Sequence, residues 1–158
     1  MKYKAILLDL DNTIYEYESC HQLAINNVLK FFANNFGFSI LQSESFFDQA
    51  RKRVAAQIPN TASSHNRLLY FQIMCEISNI KAAVHALELY NIYWDSFLDN
   101  MVMFDGVKEL LQFYQKEKIK IALVTDLTAN IQYRKIAKLE INNYIDYIVT
   151  SEETGIDK

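Results

Sequence analysis

The sequence is poor in the residues that turn a chain. It has three glycines and one proline in 158 positions, about 2.5% against an average of about 12%. Collagen-like, linker-rich and turn-dense all-β architectures are excluded, and long helices are favoured. Cysteine is also scarce: Cys20 and Cys75 lie far apart and form no CxxC pair. Nothing resembling a secretory leader precedes them, since Met1-Lys2-Tyr3-Lys4 opens onto only four apolar residues. Reduced thiols and a cytoplasmic location are the expectation. No apolar run approaches the ~20 residues that span a bilayer, so no membrane role is expected. No basic cluster exceeds Arg51-Lys52-Arg53, and the net charge is −3. Nucleic acid and acidic membranes are therefore not expected partners; a small molecule is.

What is abundant is apolar. Hydrophobic residues make up 51% of the chain and aromatics 13%, enough for one folded unit, or one unit with a subdomain threaded into it. Ala5-Ile6-Leu7-Leu8 is a short continuous apolar run ending at Asp9, the pattern of a strand buried on both faces of a parallel sheet. Helical spacing then takes over, with Cys20, Leu23, Ala24, Val28, Phe31 and Phe32 marking a helix from about Glu18 to Phe36, closed by Gly37. A second helix is predicted from Ser43 or Ser45, burying Phe46, Phe47, Ala50 and Val54 and ending before Pro59. Two further helical patterns cover the stretch to Leu98. After an amphipathic helix around Val107 to Tyr114, strands at 119–124 and 145–149 flank a helix over Ala129 to Leu139 that carries Tyr133, Ile136 and Ala137. The expected fold class is α/β: a Rossmann-like parallel sheet core from residues 1–16 and 99–158, interrupted by an all-helical subdomain at 17–98.

In such sheets ligands bind outside the C-terminal ends of the strands. The three predicted strands end in Asp9-Leu10-Asp11-Asn12-Thr13, in Thr125-Asp126, and in Thr150-Ser151 followed by a loop to Lys158. Asp9, Asp11, Thr125, Asp126 and Lys158 are thus candidates for one site. An EF-hand reading of the aspartates fails, because loop position six would be Ile14 instead of Gly and position twelve Cys20 instead of Glu. His21, His65 and His85 have no metal-ligand spacing. His65-Asn66-Arg67 reads as a helix start whose residues cap the helix at the surface, with substrate contact the weaker alternative.

"LLDLDNT" at 7–13, "IALVTD" at 121–126 and "TSEETGIDK" at 150–158 resemble, in order, the first three motifs of the haloacid dehalogenase-like hydrolase superfamily. "GVKELL" at 106–111 resembles the helix start that precedes the second motif. The resemblance implies a phosphatase with a helical cap inserted after the first strand. It implies that Asp9 attacks phosphorus to form an aspartyl-phosphate and that Asp11 serves as general acid and then base. Mg²⁺ would be held by the Asp9 carboxylate and the Asp11 carbonyl. The Thr125 hydroxyl, backbone N–H groups from Asp126 onward, and Lys158 would hold the phosphoryl oxygens. Asp11 favours phosphoryl chemistry over dehalogenation, because the dehalogenases of the superfamily lack an acid two residues after the nucleophile.

The fourth motif of the superfamily, a pair of acids on a later strand, has no counterpart before Lys158. The chain therefore resembles a truncated relative with an incomplete metal site and an unpaired apolar edge at Ala5 to Leu8, through which self-association is expected. Alternatives at this level are a phosphomutase, a non-catalytic remnant binding a phosphorylated ligand or a protein, and a second polypeptide that supplies the missing strands.

Overall fold

Ala5–Leu8 forms the first strand, β1, and the chain then builds four helices before returning to the sheet. These are α1 (Tyr17–Phe36), α2 (Ile40–Gln57), α3 (Arg67–Ile77) and α4 (Ala82–Asp99), with a 3₁₀ turn at Ala62–His65. The computed structural model describes residues 3–158. After α5 (Val107–Lys116) come β2 (Lys120–Thr125), α6 (Ala129–Lys138), β3 (Tyr147–Thr150) and the single turn α7 (Ser151–Thr154). The strands are parallel in the order β1-β2-β3. The Leu8–Leu123 and Thr125–Thr150 pairings bring the C-terminal ends of all three strands to one edge. This is the α/β class expected from the sequence.

Local chemistry explains most boundaries. Gly37 takes a left-handed conformation (φ 74°) and donates to the Ala33 carbonyl to close α1. The second helix starts earlier than expected. Ser39 and Gln42 form a reciprocal capping box, which sets the start at Ile40 instead of Ser43 or Ser45. Asn66 caps α3 by accepting from the Leu68 N–H at 2.9 Å, as the sequence suggested.

The four helices enclose an aromatic core. Phe32, Phe71, Tyr93, Trp94 and Phe97 are almost completely buried, and Trp94 meets the Tyr93 and Phe97 rings edge-on with centroids 5.0 and 5.1 Å apart. The sheet is different. Ile121 and Leu123 of β2 are buried, but Leu7 of β1 is 70% exposed and Tyr147 of β3 is 62% exposed. The expectation that β1 is buried on both faces is thus corrected. Its alternating pattern reflects one face turned to solvent, while its place at the edge of the sheet agrees with the unpaired edge expected at Ala5 to Leu8. Cys20 and Cys75 are free and buried. No helix among the described residues is long and apolar enough to cross a membrane.

Candidate active site

The site begins where β1 ends. Asp9 leaves the strand level with Val124 of β2, one step beyond the Leu8–Leu123 pair. The chain then turns sharply: Asn12 adopts φ 60°, a conformation that Asn tolerates better than most residues. Its Oδ1 accepts from the Tyr17 N–H at 2.9 Å, and the Ile14 N–H donates to the Leu10 carbonyl at 3.0 Å. These contacts hold Asp9 and Asp11 at the sheet edge while leading the backbone into α1.

Asp9 Oδ1 accepts from the Leu10 N–H at 2.7 Å and is ion-paired with Lys158 Nζ. Lys158 reaches it from the far end of the chain. Its Nζ also donates to the Val124 carbonyl at 3.2 Å, and its backbone N–H donates to Asp126 Oδ1 at 2.9 Å. Asp9, Asp126 and Lys158, which are widely separated in sequence, therefore meet. Thr125 lies at the same edge but is buried, and its hydroxyl accepts from Gln132 Nε2 at 2.6 Å.

Asp11 has a second set of partners. Its Oδ1 accepts from the Tyr15 hydroxyl at 2.6 Å, and both carboxylate oxygens accept from Lys135 Nζ, at 2.7 and 2.9 Å. Lys135 is fully buried among the rings of Tyr15, Tyr17, Trp94 and Phe97. Burial pulls its ammonium below the ordinary lysine value, and the Asp11 carboxylate opposes that pull. Burial, and then the Asp11 charge, push the Tyr15 phenol well above its ordinary value, so it stays a donor.

Sequence reasoning missed Lys135 and Gln132. The apolar pattern of α6 rests on Tyr133, Ile136 and Ala137, yet Tyr133 is 58% exposed while Gln132 and Lys135 are buried. The apolar pattern misled because α6 turns a polar face inward to serve Thr125 and Asp11. The readable signal was Gln132 and Lys135 at i, i+3, flanked by the buried Ile131 and Ile136. Glu152, which reads as a solvated acid, accepts from the Ala129 N–H at 2.7 Å at the start of α6.

A pocket of about 230 Å³ opens beside these groups, lined by Asp11, Asn12, Tyr17, His65, Arg67 and Asp126 among others. No group of three or more His, Cys, Asp or Glu among the described residues could hold a metal by itself. The hard oxygen donors of Asp9 and Asp11 nonetheless suit Mg²⁺, which commonly takes one or two carboxylates together with substrate phosphate and water.

An α/β fold whose β1 ends in two aspartates, with a lysine from beyond β3 against the first, defines a class. Residues 6–158 match the haloacid dehalogenase-like hydrolase family, and the chain belongs to it. It is 35% identical over 157 residues to a ribulose-1,5-bisphosphate 5-phosphatase of Halopiger xanaduensis, covering 98% of this chain and 65% of that protein. The chain thus spans about two thirds of the length of that relative. Among solved structures it resembles a HAD-hydrolase from Bacillus subtilis bound to magnesium, with 16% identity, a TM-score of 0.67, and coverage of 100% of this chain and 69% of the other. It resembles a 2-haloacid dehalogenase from Pseudomonas syringae similarly, with 16% identity, a TM-score of 0.69, and coverage of 98% and 66%. At 16% identity those two likenesses speak to fold alone.

Proposed function

We propose that the protein is a Mg²⁺-dependent phosphatase of a small phosphorylated metabolite, working through an aspartyl-phosphate on Asp9. The observation that carries this reading is the Asp9–Lys158 ion pair at the end of β1, two residues before Asp11. A carboxylate nucleophile needs a cation beside it that can also meet the incoming phosphoryl oxygens, and a nearby acid to protonate the leaving oxygen. Lys158 fits the first need and Asp11 the second.

In this reading Tyr15 and Lys135 orient the Asp11 carboxylate towards the leaving group. Backbone N–H groups after Thr125 and the Lys158 ammonium take the phosphoryl oxygens, and the Thr125 hydroxyl joins them by exchanging its bond with Gln132. Asp9 and the Asp11 carbonyl would hold Mg²⁺, which supplies neutralising charge on the transferring group when bound. The helical block at 17–98 acts as a cap that excludes water. The similarity to a ribulose-1,5-bisphosphate 5-phosphatase makes sugar phosphates the first substrates to assay.

The test is turnover of a generic phosphomonoester and a sugar-phosphate panel by the full chain, with MgCl₂ and with EDTA. Mg²⁺-dependent phosphate release that falls at least ~10³-fold in Asp9→Asn supports the reading. A folded protein whose release is the same in wild type and Asp9→Asn refutes it.

A further inference from the structure

Arg67, the first residue of α3, is buried, with 7% exposure. Guanidinium groups are seldom buried without an acid, yet no carboxylate among the described residues lies within 4.0 Å of this one. One terminal nitrogen donates to the His65 carbonyl at 2.6 Å, and the other donates to the Tyr17 hydroxyl. The carbon between them faces the Tyr70 and Tyr93 rings at 5.2 and 5.4 Å. Its Nε is buried and has no partner at all. Neutral oxygens and ring faces only partly offset the loss of water around a full charge, a loss of several kcal/mol per ion. An anion supplied from outside would complete the offset.

The location says which anion. Arg67, His65 and Tyr17 line both the 230 Å³ pocket beside Asp11 and a larger groove of about 500 Å³ between the 3₁₀ turn, α1 and α2. Arg51 and Lys52 line that groove too. Its one lining carboxylate among the described residues is Glu18, which accepts from Gln22 Nε2 at 2.6 Å. Arg51 has only Asp48, at 3.7 Å and exposed. The groove is therefore cationic, shares Tyr17, His65 and Arg67 with the pocket at Asp11, and is of a size that holds a small metabolite. Arginine's fork of donors matches the oxygens of a phosphate.

We infer that Arg67, with Arg51 and Lys52, forms a second anion subsite, which takes the non-reacting phosphate of a bisphosphorylated substrate while its other phosphate lies beside Asp9. The inference rests on the phosphatase reading only for the place of the reacting phosphate; the second subsite follows from Arg67 itself.

The test measures binding, not turnover. Isothermal titration of the full-chain Asp9→Asn variant compares a pentose bisphosphate with the corresponding pentose monophosphate. The inference expects the bisphosphate to bind at least tenfold more tightly, and this ratio to fall below threefold in Asp9→Asn/Arg67→Gln. Equal binding of the two ligands, or an unchanged ratio in a folded Arg67→Gln protein, overturns it. Should Arg67→Gln unfold, Arg51→Gln/Lys52→Gln decides, since both side chains are exposed: a ratio reduced threefold or more supports the subsite, and an unchanged one overturns it. The two readings fail separately. A tenfold preference without any hydrolysis by wild type defeats the phosphatase and keeps the subsite, whereas hydrolysis with no preference does the reverse.

Discussion

The helical block and the sheet solve the problem of burial in opposite ways. Between α1 and α4 the largest side chains face one another, and Tyr93, Trp94 and Phe97 are sealed from solvent. In the sheet only the middle strand is covered, while the outer strands show Leu7 and Tyr147 to water. The candidate chemistry sits between the two regions. Asp9 and Lys158 belong to the sheet edge, whereas Lys135 crosses from α6 into the aromatic wall of the block to meet Asp11. The block therefore does more than cover a site. Its rings form the low-dielectric side of an ion pair whose lysine is fully buried and whose aspartate is partly exposed, where the pair's geometry is held firmly.

If that contrast is right, the largest loss of stability comes from the block. Trp94→Ala is expected to cost about 3–5 kcal/mol, read as a shift of the urea midpoint at constant slope. A loss below about 1 kcal/mol would mean that the aromatic cluster is not the main core.

The junction comes next. Lys135→Met leaves the Asp11 carboxylate, itself 24% exposed, without its cation. The expected cost is about 2–3 kcal/mol, less than for a pair buried on both sides. Adding Asp11→Asn should recover at least about 1 kcal/mol, because the orphaned charge is then gone. Strictly additive losses would show that the two groups are not coupled.

How far the sequence was legible follows the same division. The alternation of apolar runs with helical periodicity disclosed the α/β class, and the polar residues at and beyond the strand ends offered Asp9, Asp11, Thr125, Asp126 and Lys158 as candidates, of which Asp9, Asp126 and Lys158 meet, because strand ends are where topology forces convergence. Lys135 stayed hidden, since a lysine in a helix ordinarily reads as solvated and only its tertiary partner explains its burial. Arg67 stayed half hidden: its neighbour Asn66 does cap α3, but capping says nothing about a guanidinium turned inward. The exposed face of β1 was missed because four apolar residues in a row carry no alternation by which to tell one face from the other.

A smaller effect is expected at His21, which lies within the block. Burial, followed by the charge of Arg67, pushes its imidazole from the ordinary 6.5 down to about 4. The unfolded chain takes up a proton as pH falls through 6.5, and the folded chain resists until about 4. Stability is therefore intact above pH 6.5 and declines between 6.5 and 4, by about 1–2 kcal/mol once solvent access to the ring is allowed for. Urea midpoints of wild type and His21→Gln at pH 7.5 and 4.5 check this. The variant should lose that part of the pH dependence, and parallel curves would count against a neutral half-buried ring.

The smallest effect is expected at the sheet edge, where the comparison is most easily broken. Leu7 and Leu123 are both leucines on adjacent strands, but one is 70% exposed and the other fully buried. Leu123→Ala should cost about 2–5 kcal/mol. Leu7→Thr places a β-branched residue on the strand and removes apolar surface already in water, so it should stay within about 0.5 kcal/mol. A loss near 2 kcal/mol at Leu7 would mean that its face is covered in solution. A midpoint that rises with protein concentration in wild type but not in Leu7→Thr would then assign that cover to a second copy of the chain pairing on the open edge of β1.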